Sequence, residues 1–340
     1  MRVKKPSICR KEIGEMKRTM IGFLVFAVLA AWLPVHSVNA EQTVLKMATF
    51  LPKDDMNLTA WWAFVEEVNK KSKGEVVIKF IGGPEAIPAF KQFEAVRTGV
   101  VDIIFGCESY YGAAVSGGAY THLSRLTPME ERKVGYYDLR VDLLKKHNVL
   151  YLGRPEHGVW FHLFTNKAVK KPQEMKGQKI RTSATYEPFV KMIGAVPVTL
   201  PGGEVYTALE RGVVDGYAWS VLGNLSMGWP EVCKNIIGPR IYAMNLETLI
   251  NLDTWNKLSK PMQKLMSDLM MANEEKYENV FVELGEKELK AMQDKGMKLI
   301  QFSPEDTKWY LDLAYKAGWE EVIKKSPDLG PKLRTLLTPK

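Results

Sequence analysis

The side chains best suited to chemistry in this sequence are one arginine and several aromatic rings, placed where predicted strands end. Arg181 lies in the strand-like segment 179–182, directly before a helix-like segment. A guanidinium there can pair with a carboxylate, because its planar set of donors matches the two carboxylate oxygens. The rings near the other strand ends are Tyr110, Phe161, Tyr217 and Trp219, and Cys107 lies close to the first of them. We therefore predict a site for an organic acid; a surface arginine and ordinary core rings are the alternative interpretation.

The sequence lacks the common catalytic and metal-binding patterns. It contains no HExxH motif, no GxSxG elbow, no Walker loop and no complete GxGxxG fingerprint. His157 and His162 are five residues apart, so in a strand they would face opposite sides and could not share a metal ion. No nucleophile, base and orienting group occur together. We predict a binding protein with no catalytic residue, metal or cofactor; an enzyme or a ligand sensor on the same scaffold is the alternative.

Strand and helix signals alternate along the chain. Segments 44–50, 76–81 and 101–105 are typical of buried strands, and helical segments with short Gly/Pro connections separate them. Such alternation predicts a parallel sheet covered by helices. A pattern of helix end, Gly, Val-Val, Asp and strand start occurs at 94–102 and again at 207–215. We interpret it as a repeat of two α/β lobes with a ligand cleft at the carboxyl ends of their strands, although any helix-to-strand junction favours similar residues.

The last third of the sequence is predicted to be mostly helical. Ser259 and Pro261 can start a helix whose apolar positions recur until Gly296. A helix of about 35 residues would extend roughly 50 Å, which exceeds one lobe, so we expect it to cross both. The predicted divisions are a leader (1–40), lobe I (41–162), lobe II (163–255) and a C-terminal helical region that contributes to both lobes (256–340).

The first forty residues are typical of a secretory signal peptide. Seven basic residues precede the apolar run 20–33, and Ala40 stands at the predicted cleavage position. A membrane anchor is the alternative interpretation of this segment. It needs about 20 apolar residues, and the run of about 14 is too short. Without the leader the net charge falls from +8 to about +3, because the leader carries seven basic and two acidic residues. We therefore expect a periplasmic protein that binds no nucleic acid.

Two cysteines remain after removal of the leader, Cys107 and Cys233. An exported protein of this size needs no disulfide framework in order to fold. One bridge and two separate buried thiols both fit the sequence.

Several runs of residues resemble the solute-binding proteins of TRAP transporters, the tripartite ATP-independent periplasmic systems, in their C4-dicarboxylate-binding (DctP-like) branch. The runs are Lys179–Arg181, Gly194–Pro197 and Glu204–Gly216, and the likeness covers nearly all of residues 43–325. The resemblance implies the two-lobed α/β fold of periplasmic solute-binding proteins, with a ligand cleft between the lobes and a long helix across both. It also implies that the ligand is delivered to a pair of membrane permease subunits driven by a sodium gradient.

The same resemblance assigns positions in the pocket. Arg181 falls on the carboxylate-anchoring arginine of the family. Trp219 stands where a polar contact, commonly Asn, occurs, and Phe161 stands where some relatives have a second arginine. Tyr110 replaces a polar or basic pocket residue, and Gly202 occupies a position where a bulkier residue can occur.

One basic anchor within an aromatic wall suits a monocarboxylate with an apolar body. A second buried carboxylate would have no partner, which is energetically costly. We therefore favour an aromatic or branched monocarboxylate; a 2-oxo or 2-hydroxy acid, a dicarboxylate and a sugar acid are the alternatives. The sequence leaves open whether a bound cation assists. We expect a monomer, with a dimer as the alternative, that partners with the TRAP membrane permease subunits.

Overall fold

The computed structural model describes residues 42–115 and 120–338, so the predicted leader lies outside the described residues. The strands are β1 (Thr43–Thr49), β2 (Val76–Gly82), β3 (Ile103–Cys107), β4 (Val149–Glu156), β5 (Phe161–Thr165), β6 (Lys179–Thr182), β7 (Val196–Thr199), β8 (Gly216–Ser220), β9 (Asn235–Ile237), β10 (Leu246–Asn251) and β11 (Lys298–Ile300). The α-helices are α1 (Thr59–Lys71), α2 (Gln92–Arg97), α3 (Glu108–Tyr111), α4 (Pro128–Lys133), α5 (Tyr136–Lys145), α6 (Glu187–Met192), α7 (Val205–Glu210), α8 (Trp229–Val232), α9 (Leu252–Lys257), α10 (Lys260–Asp294), α11 (Pro304–Lys325) and α12 (Gly330–Leu337).

The strands form two sheets with the same internal arrangement. The first has the order β2-β1-β3-β10-β4, and the second has the order β11-β9-β5-β8-β6-β7. In the first sheet β1 pairs in parallel with β2 and β3, while β10 pairs antiparallel with β3 and β4. In the second sheet β6 pairs in parallel with β7 and β8, while β5 pairs antiparallel with β8 and β9. Each sheet is the centre of one lobe, so the predicted repeat of two α/β lobes is confirmed.

The repeated sequence pattern has the same structural role in both lobes. The main-chain N–H of Lys46 donates to Asp102 Oδ2 at 2.8 Å, and that of Lys179 donates to Asp215 Oδ2 at 2.7 Å. The glycine three residues before each aspartate has a positive φ, +76° in the first lobe and +67° in the second. A residue with a Cβ rarely adopts that conformation, so glycine ends the helix at both places. Each aspartate thereby ties one strand to the loop that enters a neighbouring strand of the same sheet.

Side chains at helical spacing attach the helices to the sheets. In α1 the buried positions recur every three or four residues, as expected for a helix with one face on a core: Ala60, Trp61, Phe64, Val65 and Val68. The Trp61 ring stacks on Phe105 of β3 with 5.2 Å between ring centroids. In the second lobe Phe189 of α6 meets Tyr310 of α11 edge-on at 5.0 Å.

Two strands belong to sheets that the predicted divisions do not anticipate. Residues 246–251 fall in predicted lobe II, but β10 lies between β3 and β4 in the first sheet. Strand β5 begins at Phe161, inside predicted lobe I, and belongs to the second sheet. The chain therefore passes from one sheet to the other between β4 and β5 and returns between β9 and β10. Hydrophobic periodicity indicates a strand but not the strand with which it pairs, so it could not predict these crossings.

The long helix α10 contacts both lobes, as the sequence predicts. In its first half, Asn273 Nδ2 donates to the carbonyl of Ala60 in α1 at 2.5 Å. In its second half, Glu288 Oε1 accepts a hydrogen bond from the main-chain N–H of Leu225, which follows β8, at 2.8 Å. Although α10 has 35 residues, neither it nor any other helix in the described part of the chain is apolar enough to cross a membrane.

Candidate functional site

A small cavity lies between the two lobes, at the edge where the parallel strands of both sheets end. Its empty volume is about 260 Å³, and its lining side chains are Phe50, Cys107, Ser109, Tyr110, Phe161, Ser183, Tyr186, Trp219, Met244 and Leu246. Phe50 follows β1 and Tyr110 follows β3, whereas Ser183 follows β6 and Trp219 lies near the end of β8. Ligands of α/β proteins bind at this edge of the sheet.

Arg181 is not one of the residues that line the cavity, but its guanidinium contacts two of them, Tyr110 and Trp219, and is held on several sides. Its Nε donates to the carbonyl of Leu200 at 2.8 Å, and its Nη1 donates to the carbonyl of Ala218 at 3.2 Å. Its Nη2 donates to Tyr110 Oη at 3.3 Å, and the Trp219 ring covers it with the guanidinium carbon 4.9 Å from the ring centroid. All of these partners are electrically neutral. Arg181 is fully buried, so the fold orients its charge without neutralising it.

The other two fully buried arginines in the described part of the chain have carboxylate partners. Arg140 Nη1 lies 2.8 Å from Glu108 Oε1, and Arg154 Nη2 lies 2.9 Å from Glu131 Oε1. Among the described residues no aspartate or glutamate forms an ion pair with Arg181. Buried charges in proteins are normally paired, because removing an ion from water costs several kcal/mol even after relaxation. Arg181 is therefore a buried charge without a carboxylate partner in the part of the chain that the structure describes.

Trp219 and Gly202 fit against each other at the wall of the cavity. The Trp219 Nε1 donates to the carbonyl of Leu222 at 3.2 Å, and Trp229 meets the indole edge-on at 5.1 Å. A Cβ at Gly202 would lie 2.8 Å from Trp219 Cη2, closer than real Cβ contacts. Because Gly202 has no side chain, it leaves room for the Trp219 indole in the cavity wall.

Tyr110 and Phe161 line the cavity from opposite lobes. The Tyr110 ring, from α3, lies 5.4 Å from the ring of Phe50, and Phe161, at the start of β5, meets Tyr186 edge-on at 4.7 Å. Burial raises the pKa of the Tyr110 hydroxyl, and the charge of Arg181 partly opposes that shift. The phenol therefore stays neutral and offers a hydrogen-bonding group at the arginine.

Two hydrogen bonds cross the cavity and join the lobes. One is the contact between Tyr110 Oη and Arg181 Nη2, and the other links the hydroxyls of Ser109 and Thr185. Residues 109 and 110 belong to the first lobe, and residues 181 and 185 belong to the second. The lobes are therefore closed on each other in this structure.

Both remaining cysteines are free thiols. Cys107 lines the cavity, and Cys233 is buried in the second lobe after α8. Burial raises the pKa of each thiol to about 12, so both are neutral near pH 7. Of the two arrangements compatible with the sequence, the structure has two separate thiols, and Cys107 contributes a neutral, weakly polar surface to the cavity.

Tyr217 does not line the cavity, contrary to its predicted role. Its ring stacks on Phe164 at 4.5 Å and packs against Trp229 at 4.8 Å, while its hydroxyl donates to Asn224 Oδ1 at 2.9 Å. It shares a face of β8 with Trp219 but lies two residues farther from the carboxyl end of the strand. That displacement places its ring in the core of the second lobe.

Six lining residues were not identified from the sequence: Phe50, Ser109, Ser183, Tyr186, Met244 and Leu246. Phe50 and Ser183 directly follow parallel strands, so the rule that ligands bind at carboxyl ends could have found them. Met244 and Leu246 could not be found in this way. They reach the cavity because β10 runs antiparallel to β3 and pairs Leu246 with Cys107.

No cluster of three or more His, Cys, Asp or Glu side chains in the described residues is arranged to hold a metal ion. His157 Nε2 bonds with the carbonyl of Glu274 at 3.1 Å, whereas His162 Nδ1 bonds with the carbonyl of Ile237 at 2.8 Å. The two imidazoles are thus engaged with different parts of the fold.

Comparisons with known proteins identify the family. The family model of the bacterial extracellular solute-binding proteins, family 7 (DctP), matches residues 47–325. A solute-binding protein of Albidiferax ferrireducens is 24% identical over 320 residues, which are 87% of this chain and 92% of that protein. A monocarboxylate 2-oxoacid-binding periplasmic protein of Nostoc sp. is 23% identical over 269 residues, which are 76% of this chain and 74% of that protein.

A solved structure with the same fold supports this assignment. It is a TRAP periplasmic solute-binding protein of Desulfovibrio salexigens with bound orotic acid. Its TM-score to this chain is 0.78 at 19% sequence identity, and the match covers 86% of this chain and 97% of the other. Because the family model spans most of the sequence and the two-lobed architecture agrees, the chain belongs to the bacterial extracellular solute-binding protein family 7, the DctP-like solute-binding proteins of TRAP transporters.

Proposed function

We propose that this chain captures a small organic carboxylate by closing its lobes around Arg181 and delivers it to a TRAP membrane permease. The family is one of extracellular binding receptors rather than of enzymes. In this proposal Arg181 supplies charge and orientation, the ring of Trp219 and its aromatic neighbours contact the body of the ligand, and a signal peptide exports the chain to the periplasm.

The observation that carries the proposal is the unpaired charge of Arg181. The fold neutralises Arg140 and Arg154 with carboxylates but surrounds Arg181 with neutral groups. A ligand carboxylate would complete the missing pair. In a site closed to water such a pair is stronger than on the surface, because the local dielectric constant is lower. Closure of the lobes and binding of an anion would then stabilise each other.

The lining of the cavity favours an aromatic or branched monocarboxylate. The lining itself is aromatic, aliphatic or neutral polar, and Arg181 is a cation in direct contact with two lining residues, Tyr110 and Trp219. A second carboxylate would be buried without a partner, which is costly. The Nostoc relative is described as binding monocarboxylate 2-oxoacids, and the Desulfovibrio structure holds orotic acid, a ring that bears one carboxylate. Both are compatible with a single arginine anchor here.

A thermal-shift screen of the purified protein against small acids and their neutral analogues tests this function. A ligand that binds the folded state alone raises the melting temperature by mass action. We expect the increase to be confined to aromatic or branched monocarboxylates. Stabilisation by dicarboxylates or uncharged sugars would contradict the proposed ligand class, and Trp219, Tyr110 and Phe161 would then be the first residues to reassign.

A further inference from the structure

We propose that Ser183 is a specificity residue that binds a hydroxyl or oxo group next to the carboxylate of the ligand. This inference rests on the proposed carboxylate site at Arg181. It narrows the ligand to an aromatic or branched acid with an oxygen substituent on carbon 2.

The hydroxyl of Ser183 is buried at the cavity without a partner. Ser183 is 1% exposed and lines the cavity. Among the described residues its Oγ has no hydrogen-bond partner. A buried hydroxyl without a partner is unfavourable, so such groups in native proteins usually meet a water or a ligand.

The position of Ser183 relative to Arg181 indicates which part of a ligand it meets. Ser183 comes two residues after Arg181 and directly after β6, so it continues the face of the strand on which Arg181 lies. A ligand whose carboxylate pairs with Arg181 therefore presents its next carbon towards Ser183. A serine hydroxyl can donate to an oxo group or accept from a hydroxyl, which makes it suitable for either substituent.

Of the three other hydroxyls at the cavity, those of Ser109, Tyr110 and Tyr186, the first two already have partners. Ser109 shares its hydrogen bond with Thr185 across the cleft, and Tyr110 accepts from Arg181. Both bonds join the lobes, so a ligand that used these hydroxyls would break contacts of the closed form. Ser183 can bind a ligand without disturbing them.

Matched pairs of acids test the assignment. The probes are phenylpyruvate and phenyllactate against 3-phenylpropanoate, and 4-methyl-2-oxopentanoate against 4-methylpentanoate, titrated by calorimetry. Each set contains one acid without an oxygen on carbon 2 and one or two acids with it. We expect the wild-type protein to bind the tighter of the oxygen-bearing acids at least tenfold more tightly than the acid that lacks the oxygen. Ser183→Ala should reduce this preference to less than about threefold by weakening the substituted acid alone.

Thr182→Val is the matched control. Thr182 is buried beside Ser183 on the opposite face of the chain, and its hydroxyl donates to the carbonyl of Ser183 at 3.0 Å. The valine variant should keep the wild-type preference. The melting temperature of unliganded Ser183→Ala should not fall, because the lost hydroxyl has no partner in the protein.

The outcomes separate this inference from the proposed function. Ser183→Ala could keep the wild-type ratio of affinities, or it could lose affinity equally for substituted and unsubstituted acids. Either result would overturn the role of Ser183 and leave the Arg181 site intact. Wild-type protein that binds the unsubstituted acids as tightly as the substituted ones would also overturn it. Wild-type protein that binds none of these acids would overturn the proposed ligand class and this inference with it.

Discussion

At the scale of single residues, Arg154 and Arg181 are equally buried but differ in their partners. Arg154→Met leaves Glu131 buried without its cation, and breaking such a pair destabilises a protein by about 3–5 kcal/mol. Arg181→Met leaves neutral carbonyl groups without a donor and removes a charge that has no counter-ion in the fold. We therefore expect Arg181→Met to lower the free energy of unfolding by only about 1–2 kcal/mol, measured by urea unfolding without ligand. An equal or larger loss in Arg181→Met would mean that the fold itself compensates this charge.

A place near a strand end predicts the position of several side chains in the structure. Trp219, Tyr110 and Phe161 line the cavity, and Arg181 contacts the first two of them; that they bind a ligand stays a prediction. Tyr217 was named by the same reasoning but packs in the core, because two residues along a strand move a ring away from the edge of the sheet. Ser183 was missed because a serine after a strand is also an ordinary turn residue. Its unpartnered hydroxyl is visible only in three dimensions.

At the scale of elements, the loop that enters α7 fixes the wall of the cavity through two adjacent glycines. A methyl group at Gly202 would collide with the Trp219 indole, whereas Gly203 has no heavy atom within 4 Å of an added Cβ. The indole cannot move freely, because Leu222 and Trp229 hold it. We expect Gly202→Ala to weaken binding of an aromatic acid at least tenfold in calorimetric titration, and Gly203→Ala to leave it unchanged. Equal affinities in the two variants would remove the Gly202–Trp219 contact from the binding site.

The sequence predicts where helices and strands lie better than it predicts which strands pair. The segment 179–182 matches β6 at both ends, and the long helix begins at the predicted Ser259 cap. Local signals suffice there, because capping residues and hydrophobic periodicity act within a few turns. The placement of β10 in the first sheet depends on partners about 90 to 150 residues away, and no local pattern contains that information.

At the scale of the whole molecule, buried histidines make the free energy of unfolding sensitive to acid. Burial lowers the pKa of His122 to about 3, and neither ring nitrogen has a partner among the described residues. The unfolded imidazole has a pKa of about 6.5, so between these values the unfolded state binds a proton that the folded state does not. Stability from His122 is therefore present above pH 6.5 and is lost as the pH falls.

The variant His122→Leu isolates this contribution. Between pH 7 and pH 5 it should lose about 2 kcal/mol less free energy of unfolding than the wild-type protein, measured by urea unfolding at both values. Glu156 is buried with its pKa raised well above the usual range, so its contribution runs in the opposite direction. It is present in both proteins and cancels in the difference. Parallel pH profiles for the two proteins would show that His122 is not neutral in the folded state at pH 5.

At the centre of the molecule, where the two closed lobes meet, Arg181 has no carboxylate partner from the fold. Our central claim is that the carboxylate of the ligand is its counter-ion. The most direct measurement is calorimetric titration of wild-type protein and Arg181→Met with an acid that stabilises the protein and with its primary amide. We predict that the wild-type protein binds the acid at least about 30-fold more tightly than the amide, a difference of about 2 kcal/mol, and that Arg181→Met loses this preference. An acid affinity in Arg181→Met within about threefold of the wild-type value, or a wild-type protein that does not distinguish acid from amide, would contradict the claim.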